Sequence, residues 1–372
     1  MVYFRRRPFR SSHQAVRITY PALIGRVLFL ASFGISVFAA DTFVGSQSCR
    51  PCHEQQHRAQ SASGHARTLN SVGAHSLAEK FTSVPESLRR GRFLFSMERN
   101  DRGQSVKIAN RDAAGEELEV PLDWAFGSGT HGVTFVSRIG TNTFLEHAFT
   151  YYSHAGTFDL TPGHDRLPAG TRMEAAGQTF NLSAISSCFQ CHSTGPVSSS
   201  PARGIAVSEP GVRCEACHGP GSGHIATPSS KSIRNPKSLP PEEVLTLCGR
   251  CHRPPDGREA VNDFANPWNV RHQPPYLEQS KCFRASGKLT CFTCHSPHEP
   301  LQRGGAAYYS ERCLGCHSGA AASLKPAPLC NAEPGRDCIR CHMPVVSANA
   351  HLRFRNHWIG VYRPAASLIP VR

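Results

Sequence analysis

Residues 188–192 read CFQCH, and the same Cys-x-x-Cys-His frame returns as CEACH (214–218), CGRCH (248–252), CFTCH (291–295), CLGCH (313–317) and CIRCH (338–342). A seventh copy, CRPCH, stands upstream at 49–53. On a turn of helix, positions i, i+3 and i+4 share one face, so two thiols and one imidazole line up along a single side. That is the layout for covalent haem attachment: the thiols add across two vinyl groups and the adjoining imidazole reaches the iron. Cys-x-x-Cys knuckles also build structural zinc sites, usually as facing pairs. Only 20 of 372 residues are His, yet His follows the second Cys every time, and zinc knuckles have no such requirement. The expected cofactor is therefore haem c, seven per chain. It is held by Cys49, Cys52, Cys188, Cys191, Cys214, Cys217, Cys248, Cys251, Cys291, Cys294, Cys313, Cys316, Cys338 and Cys341, with His53, His192, His218, His252, His295, His317 and His342 as proximal ligands.

Composition points the same way. Gly (31) and Pro (28) are plentiful, and long aliphatic side chains are sparse for a conventional core of this length. Porphyrins would supply the missing apolar mass. The expected fold is mostly irregular, with short α-helices organised around stacked c-type haems, plus a small antiparallel β-rich N-terminal region.

Residues 1–40 read as an export signal, with an Arg-rich start and then the apolar run Val27 to Ala40, too short for an easy membrane span. The alternative is an uncleaved anchor that associates with the membrane. Export to the periplasm or the outer surface suits covalent haem ligation, which takes place outside the cytoplasm. The formal charge of +14, less the six arginines of the leader, leaves +8. Fourteen haem propionates would balance that excess. No basic run is interleaved with aromatics, which excludes a nucleic-acid partner as the reading.

Residues 41–184 form the first expected region, with one haem and a β-meander. After CRPCH comes the polar run EQQHRAQSASGHARTL, where His65 follows a glycine and can turn towards an iron. His57 lies on the face of His53 and points to solvent or to a propionate. The segments RFLFSME, QSVKIAN, EELEVPL and GVTFVSRI, separated by turn residues, read as strands. His131, in GSGTHGVTF, is a candidate ligand to the first haem, or else a loop histidine. His147, His154 and His164 are weaker candidates. The FTYY cluster at 149–152 reads as packing.

Residues 185–372 form the expected six-haem domain. SLPPEEVLTLCGRCH starts a helix with Pro and acids, and Ser310-Glu311 is expected to open the turn bearing CLGCH. The proximal histidines are 26, 34, 43, 22 and 25 residues apart, which argues against a tandem repeat.

CEACHGPGSGH (214–224), SGKLTCFTCHSPH (286–298) and DCIRCHMP (337–344) followed by HLRFRNHWI (351–359) resemble the multihaem cytochromes c around hydroxylamine oxidoreductase, octahaem tetrathionate reductase and the nitrifier tetrahaem carrier. The resemblance covers most of the mature chain in motif order. It implies that the trailing His of such motifs is the distal ligand of a neighbouring haem, hence His224 and His298, with His351 and His357 as further candidates. The residues agree: Pro297 separates His295 from His298, so the two cannot grip one iron. With His65 and His131 this makes six distal candidates for seven irons. Either a seventh such as His272 or His164 completes the set, or one haem keeps an open site; Met343 and Met173 are poorer ligands.

Bis-His iron exchanges only electrons, whereas an open position binds a small ligand. No general acid or base stands out, so the reading is an electron carrier serving unidentified redox partner proteins. The alternative is an oxidoreductase with one five-coordinate haem acting on a nitrogen or sulfur oxy-species. A purely structural metal-binding module is the residual reading. Cys282 and Cys330 remain for a disulfide, a free thiol or a thiolate ligand.

Overall fold

The β region is set by alternation. In Phe93-Leu94-Phe95 the two phenylalanines are buried and Leu94 faces out, and on the paired strand Val106 and Ile108 turn inward, Ile108 opposite Phe95. The computed structural model describes residues 40–371 apart from 83, 86, 87, 102, 113, 114, 116, 256–268, 270, 302–304, 319–336 and 364–367. The leader expected at residues 1–40 lies outside the described residues except for Ala40. Asp41–Arg372 forms one unit. Among the described residues no helix is long and apolar enough to cross a membrane.

The strands run β1 (Leu69–Ser71), β2 (Arg89–Arg90), β3 (Phe93–Asn100), β4 (Gly103–Asn110), β5 (Leu118–Pro121), β6 (Trp124–Phe126), β7 (Gly132–Arg138), β8 (Thr143–Tyr152), β9 (Thr157–Leu160) and β10 (Gly177–Asn181). All pairings are antiparallel. One sheet has the order β2-β3-β4-β5; the other is β1-β6-β7-β8-β10, with β9 also on β8. The four segments expected as strands lie in β3, β4, β5 and β7. The region is larger than a small meander because β8, β9 and β10 extend it.

Strand β8 is buried along most of its length because it faces two cores. Leu145, Phe149 and Tyr151 join Phe95, Ile108 and Phe135 in the core shared by the two sheets. Phe144 points the other way, to a second core with Leu69, Phe126 and Val136. The FTYY cluster is thus packing, with Phe158 against both Phe149 and Tyr151. Buried Arg90 ties the sheet to the segment that follows it. Its guanidinium donates to the carbonyls of Glu174, Ala175, His164, Leu167 and Pro168.

Helix α1 (Glu54–Ser61) follows CRPCH, and α2 (Arg172–Ala176) opens with a capping box between Thr171 and Glu174. Helix α3 (Leu182–His192) is capped by the Asn181 side chain, which accepts from the Ala184 amide. Its apolar positions Leu182, Ile185 and Phe189 lie on one face and enter the second core. Burying each contributes about 1.5–3 kcal/mol, which docks the first half of CFQCH onto the sheet. The hairpin β11 (Ser193–Ser200) and β12 (Gly204–Pro210) then returns the chain.

The remaining helices are short: α4 (Cys214–His218), α5 (Ser222–Ala226), α6 (Pro241–His252), α7 (Gln273–Glu278), α8 (Lys281–Ser286), α9 (Cys291–Cys294), α10 (Ala306–His317) and α11 (Cys338–His342). The final strands, β13 (Val345–Ser347) and β14 (Arg353–Arg355), pair with each other. Helix α6 begins with Pro241 and two acids, as its sequence indicates. Helix α10 begins at Ala306 rather than near Ser310. The Ser310 hydroxyl is buried and accepts from the Cys338 amide at 3.2 Å, so it joins α10 to α11 instead of capping.

Candidate functional site

Five of the CxxCH frames close or constitute a helix: CFQCH in α3, CEACH as α4, CGRCH in α6, CLGCH in α10 and CIRCH as α11. The other two keep the same helical bond beyond the helix proper. The His53 amide donates to the Cys49 carbonyl at 3.0 Å, and the His295 amide to Cys291 at 3.0 Å. Each frame therefore presents two thiols and an imidazole on one side of a turn.

Four of the seven motif imidazoles face a second histidine. His53 faces His224 at 6.2 Å between ring centroids, His218 faces His298 at 6.1 Å, His252 faces His65 at 6.1 Å, and His295 faces His357 at 6.3 Å. With about 2 Å from a metal to each imidazole nitrogen and about 1 Å more to each ring centre, two trans ligands put their centroids about 6 Å apart. Aromatic packing alone also spans such distances. Hydrogen bonding separates the two explanations.

Nδ1–H of His192, His218 and His342 donates to the carbonyls of Thr68, Arg234 and Gly360, and that of His252 to the Gln273 amide oxygen. Among the facing histidines, His357 donates to the Arg355 carbonyl and His224 to the Ser232 hydroxyl, whose own proton goes to Thr227 and Ser229. A carbonyl can only accept, so Nε2 of these rings carries the lone pair, as a ligating imidazole requires. Burial, followed by its neighbour His65, lowers the His252 pKa to about 4. Burial, followed by His295, lowers His357 to about 4. Burial also lowers His65, His192, His218 and His295, so these rings are held neutral.

The other histidines are engaged differently. Nε2 of His147 bonds to Ser137, that of His164 to Glu146, and that of His351 to Asp159 at 2.7 Å. His351 also stacks on Tyr152 at 4.4 Å. It joins the C-terminal segment to the β region and stands against no motif histidine. His131 is exposed, with its ring opposite His154 at 5.9 Å, and His224 rather than His131 faces His53. His272 lies within 3.4 Å of Arg253. Met173 packs in the β core. Among the described residues no second imidazole faces His192, His317 or His342; His192 instead meets Phe126 at 5.1 Å.

The pairs join distant parts of the chain through specific backbone contacts. The Val212 amide donates to the His65 carbonyl at 2.8 Å, and Gly211 (φ +80°) is the close approach that allows it: a Cβ there would lie 2.1 Å from the Ala66 oxygen. Glu215, inside CEACH, accepts from the amides of Val44, Gly45 and Gly221, which anchors the segment leading into CRPCH.

The donor set fits haem c. The thiols of Cys49 and Cys214, of Cys191 and Cys251, and of Cys248 and Cys291 lie beside one another and shift each other's pKa in opposite directions. Thioethers do not titrate, so these shifts matter only as signs of proximity between motifs. Among the described residues no group of three or more Cys, His, Asp or Glu side chains is arranged to hold a metal ion by itself. One turn past His53, the buried Nε2 of His57 has no hydrogen-bond partner, as a missing polar edge of a cofactor would leave it. Cys282 is a free, half-buried thiol with its pKa raised by burial, while Cys330 lies outside the described residues.

Residues 147–219 match the family described as cytochrome c554 and c-prime. That segment contains CFQCH and CEACH, and the match supports covalently bound c-type haem there. No curated protein matches the chain. Among solved structures, the outer cell wall cytochrome OcwA aligns at 16% identity over 85% of this chain and 79% of its own, with a TM-score of 0.49. An undecaheme cytochrome from the S-layer of Carboxydothermus ferrireducens aligns at 17% identity over 87% of this chain, with a TM-score of 0.45. This chain spans about half of that protein, 53%.

Proposed function

We propose that the chain is an exported c-type cytochrome that carries electrons through seven covalently bound haems, one at each CxxCH frame. The observation that carries this reading is the set of four imidazole pairs at 6.1–6.3 Å, each pair containing a motif histidine. Haem c supplies an iron that cycles between ferrous and ferric states without atom transfer. The Cys thiols of each frame would attach the macrocycle, and the motif histidines would ligate the iron from one side. His224, His298, His65 and His357 would supply the second imidazole at CRPCH, CEACH, CGRCH and CFTCH, respectively. The carbonyls of Thr68, Arg234, Gly360 and Arg355 orient the imidazoles and raise their basicity. Donor and acceptor are redox proteins, and the Arg-rich stretch followed by an apolar run supports a site of action outside the cytoplasm.

Intact mass of the exported protein tests this. Seven haems above the polypeptide, with a pyridine-haemochrome band, is the expected result; zinc without that band would sink it.

A second reading is favoured by a specific observation: among the described residues, no imidazole faces His192, His317 or His342. An open position at one of these haems would bind a nitrogen or sulfur oxy-species and make the protein an oxidoreductase. A high-spin paramagnetic resonance signal perturbed by nitrite or hydroxylamine would favour that reading over the carrier.

A further inference from the structure

Direct contacts between the motifs run in an order that differs from the sequence. CRPCH and CEACH are joined through Glu215, which accepts from the Gly45 amide at 2.8 Å just before CRPCH. CEACH meets CGRCH where the Arg250 guanidinium donates to the Ala216 carbonyl at 2.7 Å. CFQCH meets CGRCH at the same residue: the Cys191 sulfur lies 3.7 Å from the Arg250 carbonyl. On its other side, the Cys248 thiol lies beside the Cys291 thiol of CFTCH, and Leu245 of the same helix shares a small core with Cys291. From there His295 contacts Tyr309 of α10 at 6.0 Å, and Ser310 of α10 bonds the first amide of CIRCH. CGRCH therefore touches three other motifs.

We infer that the CGRCH site is a three-way junction, with Arg250 as the positioning residue that sets the CEACH and CFQCH sites against it. The inference rests on the cytochrome reading above. The through-path then runs CRPCH, CEACH, CGRCH, CFTCH, CLGCH, CIRCH, with CFQCH as a side branch and the His218–His298 pair as a second, parallel tie between CEACH and CFTCH. Each hop oxidises one ferrous site and reduces its ferric neighbour by one electron, with no atom or proton transferred. Two features of the sequence serve the junction. Gly249 is required because a Cβ there would come within 2.6 Å of Pro254, so α6 must stop against that proline. The Arg250 side chain is exposed, so what it holds is the spacing between two motifs rather than the interior of the fold. The side chain holds the CEACH arm, and the backbone carbonyl of the same residue meets the CFQCH arm.

The whole exported protein provides two tests. In a crystal structure of the haem-loaded chain, iron positions from anomalous scattering should give the iron on His252 three near neighbours, on His192, His218 and His295. An iron on His192 that lies closer to any iron other than the one on His252 would overturn the junction. The second test injects electrons from a photosensitiser attached at Val345→Cys, an exposed position beside CIRCH. Arg250→Ala should keep all seven haems by intact mass and convert a connected reduction into one in which two of the seven haems, those of CRPCH and CEACH, lag. Arg250→Lys, which restores a donor, should recover part of the lost coupling. An Arg250→Ala protein with all its haems and unchanged kinetics would overturn the positioning role. A chain carrying no haem by mass would overturn the cytochrome reading, and the junction with it.

Discussion

The imidazoles of His218 and His298 face each other with planes 7° apart, whereas those of His65 and His252 are 81° apart at the same centroid distance. Axial ring orientation fixes how the iron d-orbitals split. Near-parallel rings give an ordinary rhombic low-spin paramagnetic resonance signal, and crossed rings give a strongly anisotropic one. Both classes are expected in the oxidised protein. His298→Ala should remove one rhombic component and add one high-spin haem without lowering the haem count, because the thioethers stay. Unchanged spectra would refute ligation by His298.

His351 gives the opposite expectation. Its Nε2 is bonded to Asp159 and its ring lies on Tyr152. His351→Ala should leave the spin-state census as it is and lower stability by about 1–2 kcal/mol, the worth of a part-exposed charged hydrogen bond and a ring contact. A new high-spin haem in that variant would show that the residue ligates iron after all.

Arg90 is buried, and its guanidinium donates to five carbonyl oxygens. Burial lowers its pKa, partly offset by Glu174. Arg90→Ala strands those carbonyls, and a loss of about 3 kcal/mol is expected in denaturant melts of the β region. Haem content should not change, since no CxxCH frame touches Arg90.

His147 is fully buried, donates from Nε2 to Ser137 and has its pKa pushed down to about 3, chiefly by burial. The folded protein therefore resists a proton that the unfolded chain accepts near 6.5. This group's contribution to stability is complete above that value and drains away as the pH falls towards 3. Between pH 7 and 5 the loss attributable to it is about 2 kcal/mol. Urea midpoints of the parent and His147→Leu, compared at both pH values, would show it: the variant should lose less. Parallel losses would contradict the assignment.

The attachment frames were legible because their spacing is local: the two Cys and the His must share one turn, and the sequence displays that directly. The histidines that face the motif imidazoles were legible only in part. His298 and His224 follow a motif closely, and His65 sits after a glycine in a short turn. At His351 the sequence does not show Asp159, the group that engages its Nε2, because that residue lies far away in the chain. At His131 the flanking glycines do not say which motif comes near. Strands β3, β4, β5 and β7 showed in their alternation. The extent of β8 did not, because a strand buried on both faces has no polar face to alternate with. The start of α10 was displaced because the Ser310 hydroxyl works between helices rather than at an end.

Each facing pair joins stretches of chain that are remote from each other: the segment after CRPCH meets α6, and the end of the molecule meets CFTCH. Thioether bonds form within one turn and can precede folding, but the second imidazole arrives only when two remote stretches have found each other. With the proposed haems in place, iron coordination would act as a long-range stitch, comparable to a disulfide that closes a large loop. Haem attachment would then come before tertiary closure, and a chain skipped at one frame would lack the stitch between two remote stretches.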